Sequence, residues 1–220
     1  MRNKNFISRI HNSTKRNYLE RMINNKVECM RIAKKFSFNY WDGKRKFGYG
    51  GYRYIPGRLK SVAVKINKNY KLNNFSKILD VGCGKGYLLY EIKKILPNIN
   101  IYGFDISSYA INNSKIEIRK YLLKFDARKK FPFKNNFFDL TISLGTLHNL
   151  SLADLEKSIK EIQRISKKKY IMVESFRNDQ ELFNLQCWAL TCKTFLSVKE
   201  WIWFYNYLGY NGDYEFIFFK

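Results

Sequence analysis

A glycine-rich loop that directly follows a short apolar segment is the feature that most constrains the fold of this chain. Residues 77–81, KILDV, read as a buried strand, and glycines follow at every second position, at Gly82, Gly84 and Gly86. The amphipathic run YLLYEIKKIL begins immediately after the last glycine. A strand, a glycine loop and a helix in this order predict a parallel α/β sheet whose ligand lies beyond the carboxyl ends of the strands.

Alternating strand and helix patterns continue through the rest of the chain. They predict an α/β fold with a doubly wound, mostly parallel sheet of six or seven strands and helices on both faces. The further strands are expected at residues 100–105, 123–127, 137–145, 168–175 and 214–219. Helices are expected at residues 87–96, 109–122, 151–165 and 197–210, with Ser107 or Ser108 and Ser151 as caps.

The first 58 residues differ in pattern from the remainder. Residues 1–40 are basic and helical in pattern, whereas residues 41–58 combine glycines, tyrosines and arginines without periodicity. We expect an N-terminal helical extension that ends in a lid over residues 1–58, followed by one α/β domain over residues 59–220. A structural arm packed on the sheet edge is the alternative to a lid. The 220 residues suit one full-sized core, and no apolar run is long enough to predict a membrane span.

The chain is strongly basic, with 41 Lys and Arg against 18 Asp and Glu and a formal net charge of +23. Such a surface attracts anions, and a small anionic metabolite or, less favoured, a nucleic acid is the expected partner. The richness in Lys, Asn and Ile leaves a purely compositional origin of this charge open. The four cysteines have no metal-ligand spacing, which predicts reduced thiols in a cytoplasmic protein and no metal site.

Acidic residues around the glycine loop indicate what the loop binds. The pattern G-x-G-x-G lacks the spacing of a nicotinamide-binding loop, and Lys85 is not in the context of a phosphate-binding loop. Asp80, two residues before the first glycine, suits a ligand that carries a cation. Asp105 ends the second strand, where an acid commonly binds ribose hydroxyls, and Asp126 ends the third, near the expected adenine. An amine, a ribose and an adenine together describe S-adenosylmethionine (SAM).

Four segments resemble, in the same order, the successive motifs of the class I, Rossmann-like SAM-dependent methyltransferases, close to the type-11 pattern. They are ILDVGCGKG, YGFDIS, FDARKKFPFKNNFFDLTISLGTLHNL and YIMVES. A weaker resemblance is to small methyltransferases of bacterial surface-polysaccharide pathways. The family resemblance implies a set of residues that bind SAM, namely Asp80, Gly82, Cys83, Gly84, Gly86, Asp105, Ile106, Asp126, Ala127, Leu144 and Gly145.

Methyl transfer to an oxygen usually requires a general base, and two residues beyond the strand ends are candidates. His148 follows the fourth strand, and an ordinary histidine pKa of about 6.5 suits proton removal at neutral pH. The alternative is that His148 only packs against the cofactor or orients a loop. Glu174 follows the fifth strand and faces the same crevice. His11, the other histidine, is expected on the surface.

Contacts with the methyl acceptor are expected from two segments. In the lid, tyrosines offer flat faces and arginines offer planar forks for anions. After the fifth strand, an arginine and an asparagine either contact the acceptor or form a helix cap and a surface ion pair. The candidate acceptor residues are Tyr49, Tyr52, Arg53, Tyr54, Arg58, Arg177 and Asn178.

These patterns predict a SAM-dependent methyltransferase that acts on an oxygen or nitrogen of a small anionic metabolite, such as a nucleotide-linked sugar or a surface-polysaccharide precursor. An RNA or protein methyltransferase that uses the basic surface is one alternative. A non-catalytic SAM-binding partner subunit is another. The aromatic C-terminal part leaves less chain than the usual closing hairpin needs, and the shortened edge that results predicts a homodimer.

Overall fold

The computed structural model describes residues 1–220 and contains a central six-stranded sheet with helices on both faces. The strands are β1 Lys77–Val81, β2 Asn100–Asp105, β3 Leu122–Lys124, β4 Phe138–Leu144, β5 Ser166–Glu174 and β6 Asp213–Ile217. The helices are α1 Ser8–Asn12, α2 Tyr18–Ile23, α3 Lys26–Ala33, α4 Phe38–Trp41, α5 Lys60–Tyr70, α6 Tyr87–Ile95, α7 Ser108–Asn112, α8 Ile116–Arg119, α9 Leu152–Ile165, α10 Asp179–Trp188 and α11 Val198–Tyr207. Short 3₁₀ turns lie at Arg45–Phe47 and Leu147–Asn149.

The strand order in the sheet is β3-β2-β1-β4-β5-β6, and every neighbouring pair is parallel. The chain moves outward from β1 to β3, returns to the centre with β4 and then moves outward to β6. A crevice therefore opens beyond the carboxyl ends of β1 and β4, where the direction of winding reverses. The predicted α/β fold is confirmed, with six strands that are all parallel.

Two apolar layers cover the two faces of the sheet. Ile78 in β1 packs into a layer that includes Ile66 of α5, whereas the next residue, Leu79, packs into a layer that includes Ile159 of α9 and Trp201 of α11. Successive side chains of a strand point to opposite faces, so a strand covered on both sides carries apolar side chains on both of its faces. No helix has both the length and the apolar character that crossing a bilayer requires.

The predicted caps are present at two helices. The Ser107 hydroxyl accepts the N–H of Ala110 at the start of α7, and the Ser151 hydroxyl accepts the N–H of Asp154 at the start of α9. Each cap satisfies a backbone donor that has no partner inside its helix, and so fixes where that helix begins.

The single helix expected over residues 109–122 was wrong, because the structure breaks it into α7 and α8. Asn113 and Ser114 lie between the two helices. Their side chains donate to the backbone carbonyls of Tyr109 and Ile111 at 2.8 Å and 2.7 Å. Short polar side chains of this kind compete with the helical hydrogen bonds and end the helix.

Helix α10 was not predicted. The side chain of Asn178 accepts the N–H of Glu181 at its start. An N-cap residue followed three positions later by a glutamate is a sequence signal for a helix start, and this signal was present. The helix was overlooked because the sequence of α10 is partly aromatic and only weakly periodic.

The N-terminal residues pack along the outer edge of β6. The Lys4 N–H donates to the carbonyl of Tyr214 at 2.8 Å. The Glu215 carboxylate accepts the N–H groups of Phe6 and Ser8 at 2.6 Å and 2.8 Å, where α1 begins. The start of the chain is therefore joined to the sheet, and the domain boundary at residue 58 stays a prediction.

Candidate functional site

Two adjoining cavities open at the carboxyl edge of the sheet. The larger cavity has a volume of about 540 Å³ and the smaller cavity about 250 Å³. Trp41, Tyr49, Gly82, Leu144 and Gly145 line both, so the cavities meet at the ends of β1 and β4. This is the location that the topology gives to a ligand.

A buried carboxylate from β1 lies at the floor of the larger cavity. Asp80 is 5% exposed and has no hydrogen-bond or ion-pair partner in the protein. Burial, and then the nearby charge of Asp105, raise the pKa of Asp80 to about 8. A carboxylate without a partner in such a position fits a ligand that brings a positive charge.

Asp105 at the end of β2 is held by the glycine loop. Its carboxylate accepts the N–H groups of Gly84 and Ser107, both at 2.8 Å. Burial raises its pKa, and these two hydrogen bonds oppose that effect. Asp105 lines the smaller cavity together with Ile106, Asp126 and Ala127, so the structure brings together the residues expected around ribose and adenine.

The three glycines of the loop have different surroundings. Gly82 has φ +77°, and a Cβ there would lie 2.1 Å from the Thr146 hydroxyl oxygen. A Cβ on Gly84 would lie 2.8 Å from the ring of Trp41. Gly86 lines neither cavity and instead packs α6 against Ile118 of α8. Thr146 and Trp41 therefore pack directly on the main chain at Gly82 and Gly84, which both line the larger cavity, whereas Gly86 shapes the fold.

The carboxylate of Asp126 has a partner within the protein, unlike that of Asp80. Arg128 binds it with Nε at 2.9 Å and Nη2 at 2.6 Å, and this pairing lowers the pKa of Asp126. The contact of Asp126 with adenine stays a prediction. Cys83, which the resemblance also places at the cofactor, lines the larger cavity with its thiol buried.

The segment of residues 36–55, termed the arm, covers the glycine loop. The Trp41 indole donates to the Ser107 hydroxyl at 2.9 Å and stacks on Tyr49, with ring centroids 5.3 Å apart. Tyr52 stacks on Tyr87 of α6 at 5.3 Å. The arm therefore forms one wall of both cavities, and the sequence-predicted Tyr49, Tyr52, Arg53 and Tyr54 all line the larger one.

An ion pair holds the arm in this position. Asp42 lies 2.7 Å from Nζ of the buried Lys85, which follows Gly84 in the glycine loop. It also accepts the Tyr109 hydroxyl at 2.7 Å and the N–H of Tyr52 at 3.0 Å. Sequence analysis missed Trp41, Asp42 and Lys85, because no local pattern pairs residues more than 40 positions apart.

His148 and Glu174 meet in the larger cavity. The buried His148 ring accepts the backbone N–H of Glu174 at Nδ1, at 3.3 Å, and its Nε2 lies 3.4 Å from the Glu174 carboxylate. Burial lowers the pKa of His148, and the charge of Glu174 opposes this only in part. The ring is thus neutral with its proton on Nε2, and Glu174 is the member of the pair with its side chain partly exposed to the cavity.

Arg177 and Asn178 line neither cavity. Arg177 pairs with Glu181 and lies over the Phe218 ring at 4.3 Å, and Asn178 caps α10. This arrangement matches the cap and ion-pair alternative rather than acceptor contact.

The expected surface position of His11 was wrong. His11 is buried, because the N-terminal residues pack against the sheet edge and the end of the chain. Its Nε2 donates to the carbonyl of Phe218 at 2.8 Å, and Nδ1 accepts Nη2 of Arg16 at 3.1 Å. Burial, and then the charge of Arg16, lower the pKa of His11 to about 4.

Arginines are abundant on the larger cavity. Arg53 and Arg58, both predicted, lie on it with exposed side chains. Three further arginines line the same cavity, Arg16, Arg21 and Arg45. Sequence analysis missed them, since no local pattern distinguishes them among the 41 Lys and Arg residues. No cluster of three or more His, Cys, Asp or Glu side chains is suited to a metal ion.

The unpartnered Asp80 suits the amine of SAM, the hydrogen-bonded Asp105 suits its ribose, and the glycine loop lines the cavity between them. Fold and site together define a class I methyltransferase. Residues 72–214 match the family described as "Methyltransferase domain". The match spans more than half of the chain, which therefore belongs to this family of SAM-dependent methyltransferases. The predicted resemblance, enzyme class and cofactor are confirmed.

Individual relatives cover only part of the chain. The mitochondrial arginine-hydroxylase NDUFAF5 of Rattus norvegicus is 31% identical over 115 residues, which are 52% of this chain and 32% of the relative. A malonyl-[acyl-carrier protein] O-methyltransferase of Legionella pneumophila is 29% identical over 92 residues, 40% of this chain and 32% of the relative. The chain thus spans about a third of the length of these curated relatives. The solved structure of YcgJ from Bacillus subtilis shares the fold, with a TM-score of 0.55, 16% identity and 66% of each chain covered.

Proposed function

We propose that this protein transfers the methyl group of SAM to an oxygen or nitrogen of a small anionic acceptor bound in the larger cavity. One observation carries the proposal. Asp80, which has no protein partner, and the Glu174–His148 pair line the same cavity as five arginines. Cofactor-binding and acceptor-binding groups are thus side by side in one space.

On the cofactor side, the proposal assigns a binding group in the protein to each part of SAM. SAM supplies a methyl group that is already activated on a sulfonium. Asp80 would bind the amino group of the methionine part, and Asp105 would bind the ribose hydroxyls. The smaller cavity, lined by Ile106 and Ala127, would hold the adenine.

On the acceptor side, Glu174 is proposed as the group that removes the proton from the nucleophile. The neutral His148 presents Nε2–H toward the Glu174 carboxylate and so orients it. His148 has no ring nitrogen free for a substrate proton, because Nδ1 already accepts the Glu174 N–H. His148 is therefore proposed as a positioning residue, in place of the general-base role expected from the sequence.

The charge of the cavity supports an anionic acceptor. Two acids, Asp80 and Glu174, line it together with five arginines. A cationic or neutral acceptor would leave most of this positive charge uncompensated. The name of the Legionella relative refers to an O-methyltransferase, which supports oxygen as the acceptor atom. The nucleotide-sugar or polysaccharide identity of the acceptor, the cytoplasmic location and the homodimer stay predictions.

Methyl-labelled SAM and a small-molecule extract of the source organism test this proposal. We expect wild-type protein to place label in a new product, and Glu174→Gln to lower the rate about a hundredfold or more. The matched control, Glu156→Gln on the exposed side of α9, should leave the rate unchanged. A larger loss in His148→Gln than in Glu174→Gln would make His148 the base. Transfer of oxygen instead of label, as the name of the rat relative suggests for that protein, would refute methyl transfer.

A further inference from the structure

Three arginines surround one tryptophan on the wall of the larger cavity. The guanidinium carbons of Arg21, Arg45 and Arg16 lie 4.5 Å, 4.8 Å and 5.5 Å from the ring centroid of Trp188, the last residue of α10. Because all three charges are close to the same ring, they are also close to one another. They come from α2, from the 3₁₀ turn of the arm and from the loop before α2, so only the folded chain brings them together.

None of the three guanidinium groups has an acidic partner. Arg21 donates from Nε to the carbonyl of Trp188 at 3.3 Å and from Nη1 to the carbonyl of Arg45 at 2.5 Å. Arg45 donates to the carbonyl of Gly48 at 2.9 Å. Backbone carbonyls hold these side chains in place but leave their charge uncompensated.

Arg16 has a donor that is not used. Its Nη2 binds the carbonyl and Nδ1 of His11, both at 3.1 Å, whereas its buried Nε has no hydrogen-bond partner. Burial, and then the charge of Arg45, lower the pKa of Arg16, whereas Tyr18 and more weakly Glu174 oppose this effect. Glu174, the proposed proton acceptor, lines the same cavity as these three arginines.

We propose that Arg16, Arg21 and Arg45 form the subsite that binds a phosphoryl group of the methyl acceptor. This inference rests on the proposed function and adds the chemical class of the acceptor and the residues that select it. Guanidinium groups match phosphate oxygens in geometry, and three of them balance a dianion better than they balance a single carboxylate. Trp188 gives the subsite a flat floor on which the guanidinium planes are held.

Calorimetric titration of the full chain with inorganic phosphate, at constant ionic strength, tests the subsite. We expect phosphate to bind the wild type and to bind Arg16→Gln and Arg45→Gln about tenfold more weakly or worse. Arg31→Gln, which removes a charge from an exposed pair on α3, is the matched control and should bind phosphate like the wild type. Arg45→Lys keeps the charge without the planar fork, and we expect intermediate binding.

Titration of the same variants with S-adenosylhomocysteine separates this inference from the proposed function. All variants should retain the wild-type affinity for it, which also shows that they are folded. If phosphate does not bind, or binds equally to Arg16→Gln and wild type while S-adenosylhomocysteine binds both, the subsite is wrong and the proposed function stands. Tighter binding of acetate than of phosphate would make the group a carboxylate and overturn the phosphoryl assignment. If S-adenosylhomocysteine does not bind the wild type, the proposed function fails.

Discussion

At the scale of single residues, the cofactor site depends on a carboxylate that the protein itself leaves unpaired. Asp80 lies almost fully buried at the end of β1, and burial, and then the nearby charge of Asp105, raise its pKa to about 8. Ionising this carboxyl in the free protein costs free energy, and a cationic ligand offsets that cost when it binds. Such positions are typical of binding sites rather than of cores.

Asp80→Asn should weaken cofactor binding without harming the fold. We expect the affinity for S-adenosylhomocysteine to fall roughly 10- to 100-fold, because a charge-assisted hydrogen bond to its amino group is lost. The melting temperature of the ligand-free protein should stay about the same at neutral pH, where the Asp80 carboxyl holds its proton, and should exceed that of the wild type above a pH of about 8. Calorimetry and thermal denaturation measure the two effects, with the exposed Asp179→Asn as the control. Unchanged affinity would remove Asp80 from the site.

The raised pKa of Asp80 also predicts a pH dependence of stability. The folded protein holds this proton up to a pH of about 8, whereas the group in the unfolded chain has a pKa of 3.8. The unfolded state therefore loses the proton first, and the free energy of unfolding should fall as pH rises through this window. Asp105, whose pKa is also raised, acts in the same direction.

Thermal denaturation between about pH 5 and pH 8, without ligand, measures this effect. We expect the melting temperature of the wild type to fall more steeply with pH than that of Asp80→Asn. Parallel profiles for the two proteins would mean that Asp80 is already compensated in the folded state.

How far the sequence predicts the site depends on how local each contact is. Asp80, Gly82 and Gly84 occur in one short motif, so their shared position at a strand end can be inferred from their spacing. The pairing of His148 with Glu174 joins the ends of two neighbouring strands, and topology alone brought them together. Arg16, Arg21 and Arg45 could not be found, because their shared contact is with Trp188, far away in the sequence.

At the scale of elements, the arm is the part that gives the crevice its walls. It is held over the glycine loop by Asp42, which contacts Lys85 and Tyr109, and by Trp41, which contacts Ser107. We infer that the arm closes over bound cofactor and acceptor, as predicted for a lid. The stacking of Tyr52 on Tyr87 of α6 also fits the alternative, a structural arm packed on the fold.

Asp42→Ala should loosen the arm and destabilise the protein by about 1–3 kcal/mol, because Lys85 is left buried without its partner. The double variant Asp42→Ala/Lys85→Met should recover part of this loss. Glu156→Ala, in an exposed pair with Lys160, is the control and should change stability by less than about 1 kcal/mol. Chemical denaturation measures the free energy of unfolding of all three variants. Equal losses for the single and double variants would mean that the ion pair does not hold the arm.

The elements themselves were predicted with mixed success, for physical reasons. The strands carry apolar side chains on both of their faces and were found because both faces of the sheet are covered. The predicted third strand was displaced, since β3 ends at Lys124 and residues 125–127 form the wall of the smaller cavity instead. The break between α7 and α8 arises from side-chain hydrogen bonds at Asn113 and Ser114, which hydrophobic periodicity does not detect.

At the scale of the whole molecule, the net charge of +23 is compatible with two kinds of acceptor. They differ in how strongly acceptor binding should depend on salt. A small acceptor bound at one arginine cluster releases few counterions, whereas RNA binding across the surface releases many. We expect KM for the acceptor to rise only a few-fold between about 50 mM and 200 mM salt, rather than by the factor of about a thousand that many phosphate contacts produce. Steady-state kinetics over this range is the measurement. A steep salt dependence would favour the nucleic-acid alternative.

The most direct test of the account follows the methyl group itself. Purified protein is incubated with methyl-labelled SAM and an unfractionated lysate of the source organism, and the labelled products are separated by size. We predict label in a new small molecule whose mobility changes after phosphatase treatment. Label that appears only in macromolecules, and is released by nuclease or protease, would contradict the small-acceptor account.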